Sequence, residues 1–241
     1  VRNPIPILMY HQIDTPPAKG TPMRGLTVSP VSFRRQMALL STLGYHGLSM
    51  RDLEPYLDER RRGKVFGITF DDGYRNNLEH ALPELQRHRF TATCYGLSGL
   101  SGGCNQWDAE IGVPQKPLMN DDDWRQWLAA GMDVGSHTRY HLDLTTQDDA
   151  TAKAEIQESK NELEQRLGAE IRHFCYPYGR FSERHQHMVR EAGYVTATTT
   201  RRGRVAENDD RFALRRVLVA KSTDPLRFWI KIATAYEDRR G

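Results

Sequence analysis

The stretch Val65-Phe66-Gly67-Ile68-Thr69-Phe70-Asp71-Asp72-Gly73-Tyr74, VFGITFDDGY, passes from apolar sequence directly into two adjacent aspartates. Such a run predicts a buried strand over Val65 to Phe70, and Asp-Gly predicts the turn that ends it. Neighbouring carboxylates raise each other's cost of ionising. The pair is therefore either a solvated turn or a site in which each carboxylate has its own partner, and the surrounding chain decides which.

Outward from this stretch, short apolar runs alternate with helix-period segments, the pattern of an α/β domain with a largely parallel sheet. Further strands are expected at Ile5 to Tyr10, Tyr45 to Leu48, Thr91 to Leu97, Met132 to Ser136, Ile171 to Tyr176, Tyr194 to Thr199 and Phe212 to Val219. Ser29-Pro30 opens a helix carrying Phe33, Met37, Leu40 and Leu43 up to Gly44. Other helices are expected over Arg51 to Glu59, Asn77 to His88, Asp121 to Ala130, Asp148 to Leu167, Ser182 to Ala192 and Asp224-Pro225 to Tyr236. Ser98 to Asn120 reads as a long, functional or mobile loop. About eight strands with helices between them suit a (β/α) barrel better than an open sheet, and barrel active sites lie at the C-terminal ends of the strands.

The 241 residues read as one domain, 1–241, without low-complexity tracts or a long linker. A formal charge of +3 is too mild to imply nucleic acid. The basic runs Arg60-Arg61-Arg62 and Arg201-Arg202-Gly203-Arg204 read as solvated loops. Cys94, Cys104 and Cys175 lack CxxC spacing, against a disulfide framework or a cysteine zinc knuckle. No run is long and apolar enough to span a membrane, and Val1-Arg2-Asn3 does not open a signal peptide. This favours a cytoplasmic or membrane-peripheral setting over an exported form trimmed of its leader.

His137 and His141, in GSHTRYHLDL, follow the Met132 to Ser136 strand and reach the same rim as Asp71 and Asp72. Two imidazoles and one carboxylate form a zinc shell that leaves positions open for water and substrate. One aspartate completes that shell. The other, whose side chain diverges from its neighbour's, is free to act as a base.

TFDDG (Thr69 to Gly73), then HTRYH (His137 to His141), then FCYPYG (Phe174 to Gly179) together resemble the polysaccharide deacetylase family, also called the NodB-homology or carbohydrate esterase family 4 fold. The resemblance spans most of the chain, from the first strand to about Val219. It implies a distorted (β/α) barrel and a metal-dependent, usually zinc-using, de-N-acetylase of N-acetylated amino sugars. By position it makes Asp71 the catalytic base and Asp72, His137 and His141 the metal ligands, another divalent ion being able to replace zinc. It also makes the Tyr178 amide the donor to the oxyanion. Many relatives carry an arginine where Cys175 stands; Arg216 in ALRRVLV is the substitute expected to orient the base, with Arg215 the runner-up. The family's late Leu-x-His is absent, and His11 in ILMYHQI is expected to supply the acid, as in the exopolysaccharide deacetylase branch.

The expected reaction is hydrolysis of an acetamide on an amino sugar of an envelope glycan or exopolysaccharide. A lipid-linked N-acetylhexosamine is the alternative substrate, and a non-catalytic carbohydrate-binding relative the alternative class. Trp107 can stack on a sugar, whereas Trp124 and Trp127, at i and i+3, read as core. Phe228, Trp229, Ile232 and Tyr236 give the last helix an apolar side, read as core packing with peripheral membrane contact the minority alternative. His46, His80, His88, His173, His185 and His187 read as incidental.

Overall fold

The computed structural model describes residues 4–240, so Val1-Arg2-Asn3 lies outside the described residues. Its strands are β1 (Ile7–Tyr10), β2 (Gln12–Ile13), β3 (Thr27–Val28), β4 (His46–Leu48), β5 (Val65–Phe70), β6 (Thr93–Gly96), β7 (Asp133–Ser136), β8 (His173–Cys175), β9 (Thr196–Arg202) and β10 (Leu214–Leu218). Its helices are α1 (Pro30–Thr42), α2 (Met50–Leu57), α3 (Leu82–His88), α4 (Asp121–Ala129), α5 (Asp149–Leu167), α6 (Glu183–Glu191) and α7 (Pro225–Ala233).

Parallel pairing runs β1-β10-β9-β8-β7-β6-β5, and β5 returns to β1. The ring thus closes on seven strands. Strand β4 attaches only to the first half of β5, against Val65, Phe66 and Gly67, which makes it an incomplete eighth member and distorts the barrel. The short β2–β3 pair is an addition that no apolar run announced.

Alternation along each strand sorts side chains into two layers. Leu8, Tyr10, Phe66, Ile68, Phe70, Phe174 and Val217 belong to the larger cluster packed under the helices. Ile7, Val65, Tyr95, Cys175 and Leu214 belong to the inner one, which α2 supplies with Met50, Leu53 and Leu57. Helix α2 closes the barrel's floor: the Met50 amide donates to Thr93 Oγ1 at 2.8 Å, and Arg51 pairs with Asp133 at 3.2 Å.

Several boundaries differ from expectation for local reasons. The Asn77 to His88 helix begins as a π-turn over Asn77–Ala81 before α3, because Pro83 has no N–H to continue an α-ladder. Helix α7 ends at Ala233, where Thr234 turns extended. The segment beyond it crosses to the second basic run, which is not a solvated loop. Glu237, fully buried, takes both arms of Arg202 at 2.6 and 2.8 Å, Asp238 binds Arg204, and Arg201 lies over the Phe181 ring. Arg60, Arg61 and Arg62 are exposed as expected.

Trp124 and Trp127 are core, and on α7 Phe228 and Ile232 are buried while Trp229 meets Tyr45 edge-on. His185 is buried too, its ring capping the start of α6 through Ser182. Among the described residues no helix is long and apolar enough to cross a membrane.

Candidate active site

Strand parity explains why polar residues collect at one mouth of the barrel. Continuing the inner-facing positions Ile7 and Met9 leads to His11; Val65, Gly67 and Thr69 lead to Asp71; Asp133 and Gly135 lead to His137. Leu214 and Arg216 share the inner face of β10, and Arg215 points away to pair with Asp209 at 2.8 Å. Since β1 lies between β5 and β10, His11, Asp71 and Arg216 come from three adjacent strands.

Asp71 is 2% exposed and Arg216 0%. The guanidinium donates to both carboxylate oxygens at 2.7 Å, and it is itself held by the Thr199 carbonyl at 2.9 Å and Thr69 Oγ1 at 3.0 Å. Burial alone would push the Asp71 carboxyl up, but the charge and hydrogen bonds of Arg216 outweigh it and hold the group below the usual carboxylate range. His11 Nε2 stands 3.9 Å from Asp71 Oδ2. Asn77 fixes that stretch by donating to the His11 carbonyl at 2.8 Å and accepting from the Ile13 amide at 3.2 Å.

Asp72 turns the other way because its backbone is left-handed, with φ +73°. Gly73 follows at φ +73°, where a Cβ would lie 2.9 Å from the Trp124 ring, so only glycine fits this turn. Asp72 Oδ1 faces His137 Nε2 at 3.3 Å and His141 Nε2 at 3.4 Å. Burial raises the Asp72 carboxyl, and the two imidazoles together bring it well below its ordinary value. His137 Nδ1 lies 2.8 Å from the Cys175 carbonyl, which can only accept, so Nδ1 carries a proton and Nε2 is the ring atom turned towards Asp72. His141 is held by the hydrogen bond that its backbone amide donates to Thr138 Oγ1 at 3.1 Å, and its buried Nδ1 has no partner among the described residues.

These residues fit a divalent cation. Asp72, His137 and His141 each present a donor atom, all within 4.8 Å of one another. The charged groups Asp71, Asp72 and Arg216 sum to one buried negative charge, which a cation would offset. A second grouping, Asp71 with His137 and Cys175, is geometrically close but unsuited, because Arg216 occupies both Asp71 oxygens and lies 3.3 Å from Cys175 Sγ.

Tyr178 follows β8 at the same mouth, left-handed at φ 58° and 42% exposed, with its ring edge-on to His141 at 4.6 Å. The Ser98 to Asn120 loop is anchored rather than loose. Tyr74 bridges to Leu118, and Leu97, Leu118 and Tyr74 form a satellite core against which Trp107 packs. Trp107 stacks on His141 at 4.6 Å between ring centres, so that imidazole covers one face of the indole. The sequence reading missed this stack, the Cys175 carbonyl under His137 and the Asn77 brace under His11. Backbone acceptors leave no trace in residue identity, and Asn77 reads from sequence as a helix start.

Comparison with known proteins gives a family model, a relative by sequence and two solved structures. A family model described as polysaccharide deacetylase matches residues 58–197. YxkH of Bacillus subtilis, itself described as a polysaccharide deacetylase, is 28% identical over 218 residues, covering 90% of this chain and 71% of that one. Among solved structures, the Streptococcus pyogenes deacetylase PplD, in complex with acetate, shares the fold with TM-score 0.84 at 24% identity, over 96% of this chain and 99% of that one. BC0361, a polysaccharide deacetylase from Bacillus cereus, aligns with TM-score 0.80 at 27% identity, over 95% of this chain and 69% of that one.

Proposed function

The chain belongs to the polysaccharide deacetylase family, and on that premise we propose that it is a zinc-dependent hydrolase that removes acetyl groups from N-acetylated amino sugars of an envelope glycan or exopolysaccharide. The observation that carries this reading is the division of the aspartate pair. One carboxylate is clamped by Arg216 beside His11, and its neighbour faces two imidazoles. A binding module has no evident need for a base beside an open cation site.

A cation held by Asp72, His137 and His141, zinc by preference for this donor set, would lower the pKa of water towards ~7 and polarise the acetyl carbonyl. Asp71, kept ionised by Arg216, accepts the proton of the attacking water. The Tyr178 amide donates to the oxygen on which negative charge develops. His11, across from Asp71, gives a proton to the departing nitrogen, so the C–N bond breaks to a free amine and acetate. Thr69 and Thr199 act through Arg216 and are positioning residues.

Acetate release from N-acetylglucosamine oligomers by chelator-stripped protein, with zinc added back, tests the reading. Zinc-restored release supports it. Stoichiometric zinc binding with no release from the oligomers or from a lipid-linked N-acetylhexosamine would refute it.

A further inference from the structure

Helix α5 buries Ala152, Ile156, Ser159 and Leu163, and one carboxylate shares that face: Glu155, 4% exposed. A buried charge needs partners. Glu155 finds them in backbone, its Oε2 accepting from the Arg139 amide and from the Tyr140 amide, both at 3.0 Å. The Arg139 side chain goes instead to Glu158 and Glu162, at 2.6 and 2.9 Å.

Those two amides lie midway along the turn from His137 to His141, which carries two of the three residues facing the cation site. The turn is left-handed at Thr138, φ 71°, and again at His141, φ 60°. Such backbone is costly, most of all at a β-branched residue, and persists only where the surroundings hold it. The Ser98 and Gly99 amides hold the carbonyls of Thr138 and Arg139 at 3.3 and 3.0 Å, and Glu155 holds the amides that follow.

The two histidines depend on this turn unequally. His137 stands at its start, directly after β7, and is braced at Nδ1 by the Cys175 carbonyl. His141 stands at its far end, its amide bonded within the turn to Thr138 Oγ1 and its Nδ1 without a hydrogen-bond partner among the described residues. The Trp107 and Tyr178 rings restrict its imidazole but leave the backbone beneath it to the turn.

We propose that Glu155 is a positioning residue of the metal centre: by holding the Arg139 and Tyr140 amides it fixes the turn that brings His141 beside Asp72 and His137. This rests on the reading of that centre given above.

The test measures zinc affinity of chelator-stripped protein by competition with a chromophoric chelator, at a temperature where every variant is folded. Glu155→Ala removes the acceptor and should weaken zinc binding about 10- to 100-fold, the usual cost of losing a group that orients metal ligands. Glu155→Asp keeps the charge but withdraws the oxygen by one methylene, and should lose a similar amount. Glu155→Gln keeps an acceptor oxygen at full reach and should recover most of the loss. Amide hydrogen exchange should speed up at Arg139 and Tyr140 in the first two variants and not in the third. Leu163→Ala, a buried change on the same helix, should lower the thermal midpoint and leave zinc affinity as in wild type.

Unchanged zinc affinity in Glu155→Ala would overturn the proposal. So would Glu155→Asp binding more tightly than Glu155→Gln, which would make the charge and not the hydrogen bonds responsible, or an equal loss in Leu163→Ala, which would make the effect one of general stability. A wild type that binds zinc but releases no acetate would refute the reaction and leave Glu155 decided by the affinities; one that binds no zinc would refute both.

Discussion

Arg216 grips Asp71 with both arms at 2.7 Å, and both side chains are buried. The sequence resemblance leads to the expectation that Arg216 stands in for an arginine at the position of Cys175. Cys175, on β8, lies 3.3 Å from the guanidinium that Arg216 brings from β10. Removing Arg216 strands a buried carboxylate. Arg216→Met should cost about 3–5 kcal/mol of stability, read by urea denaturation. The double variant with Asp71→Asn should recover part of that loss, and an additive double variant would refute the coupling.

The two aspartates should separate by phenotype. Asp72→Ala should lose zinc in equilibrium dialysis. Asp71→Asn should retain zinc and lose about 10²- to 10⁴-fold in turnover, the usual span for a general base. The reverse pattern would exchange their roles.

His11→Ala should also keep the metal and lose about 10²- to 10⁴-fold in kcat. Turnover like that of wild type would remove His11 from the mechanism.

Gly179 stands at φ +67°, and a Cβ there would lie 2.0 Å from Thr200 Oγ1. Gly179→Ala should cost about 1–2 kcal/mol for the left-handed backbone alone and should displace the Tyr178 amide. The expected result is a drop in kcat larger than the change in KM. Equal effects on both would argue against a role for that amide in the transition state.

On the barrel floor, Arg172 donates to both Glu54 oxygens at 2.8 Å, and His173 stands 3.4 Å away. Burial raises the Glu54 carboxyl, but His173 and Arg172 pull it down from 4.5 to about 2. A folded-state pKa below the unfolded one contributes stability that is complete above pH 4.5 and fades as pH falls towards 2. Glu54→Gln should therefore lower stability at neutral pH by up to about 1 kcal/mol for so screened a pair. The gap from wild type should close below pH 4.5. A gap that stayed constant across this range would show that the charge contributes nothing.

The barrel was legible because its strands are apolar runs at regular spacing, and the site because strand parity projects His11, Asp71 and His137 inward. The same parity separates Arg216 from Arg215, since Leu214 and Arg216 share a face of β10. What composition could not reveal were contacts made by common groups. The left-handed turn at Asp72 shows only as the glycine after it, the half-length β4 reads like any other strand, and the tail beyond Ala233 was read as helix although Glu237 and Asp238 draw it to Arg202 and Arg204. An apolar helical face gives no sign of where charge will interrupt it.

Closure of the ring at β1 carries one more consequence. Around the circle, His11 sits between Asp71 and Arg216, although 60 residues of chain separate it from the first and 205 from the second. In a closed ring, angular order governs chemistry and linear order does not. A side chain needed beside Asp71 can therefore come from any strand that flanks β5, however far away it lies along the chain.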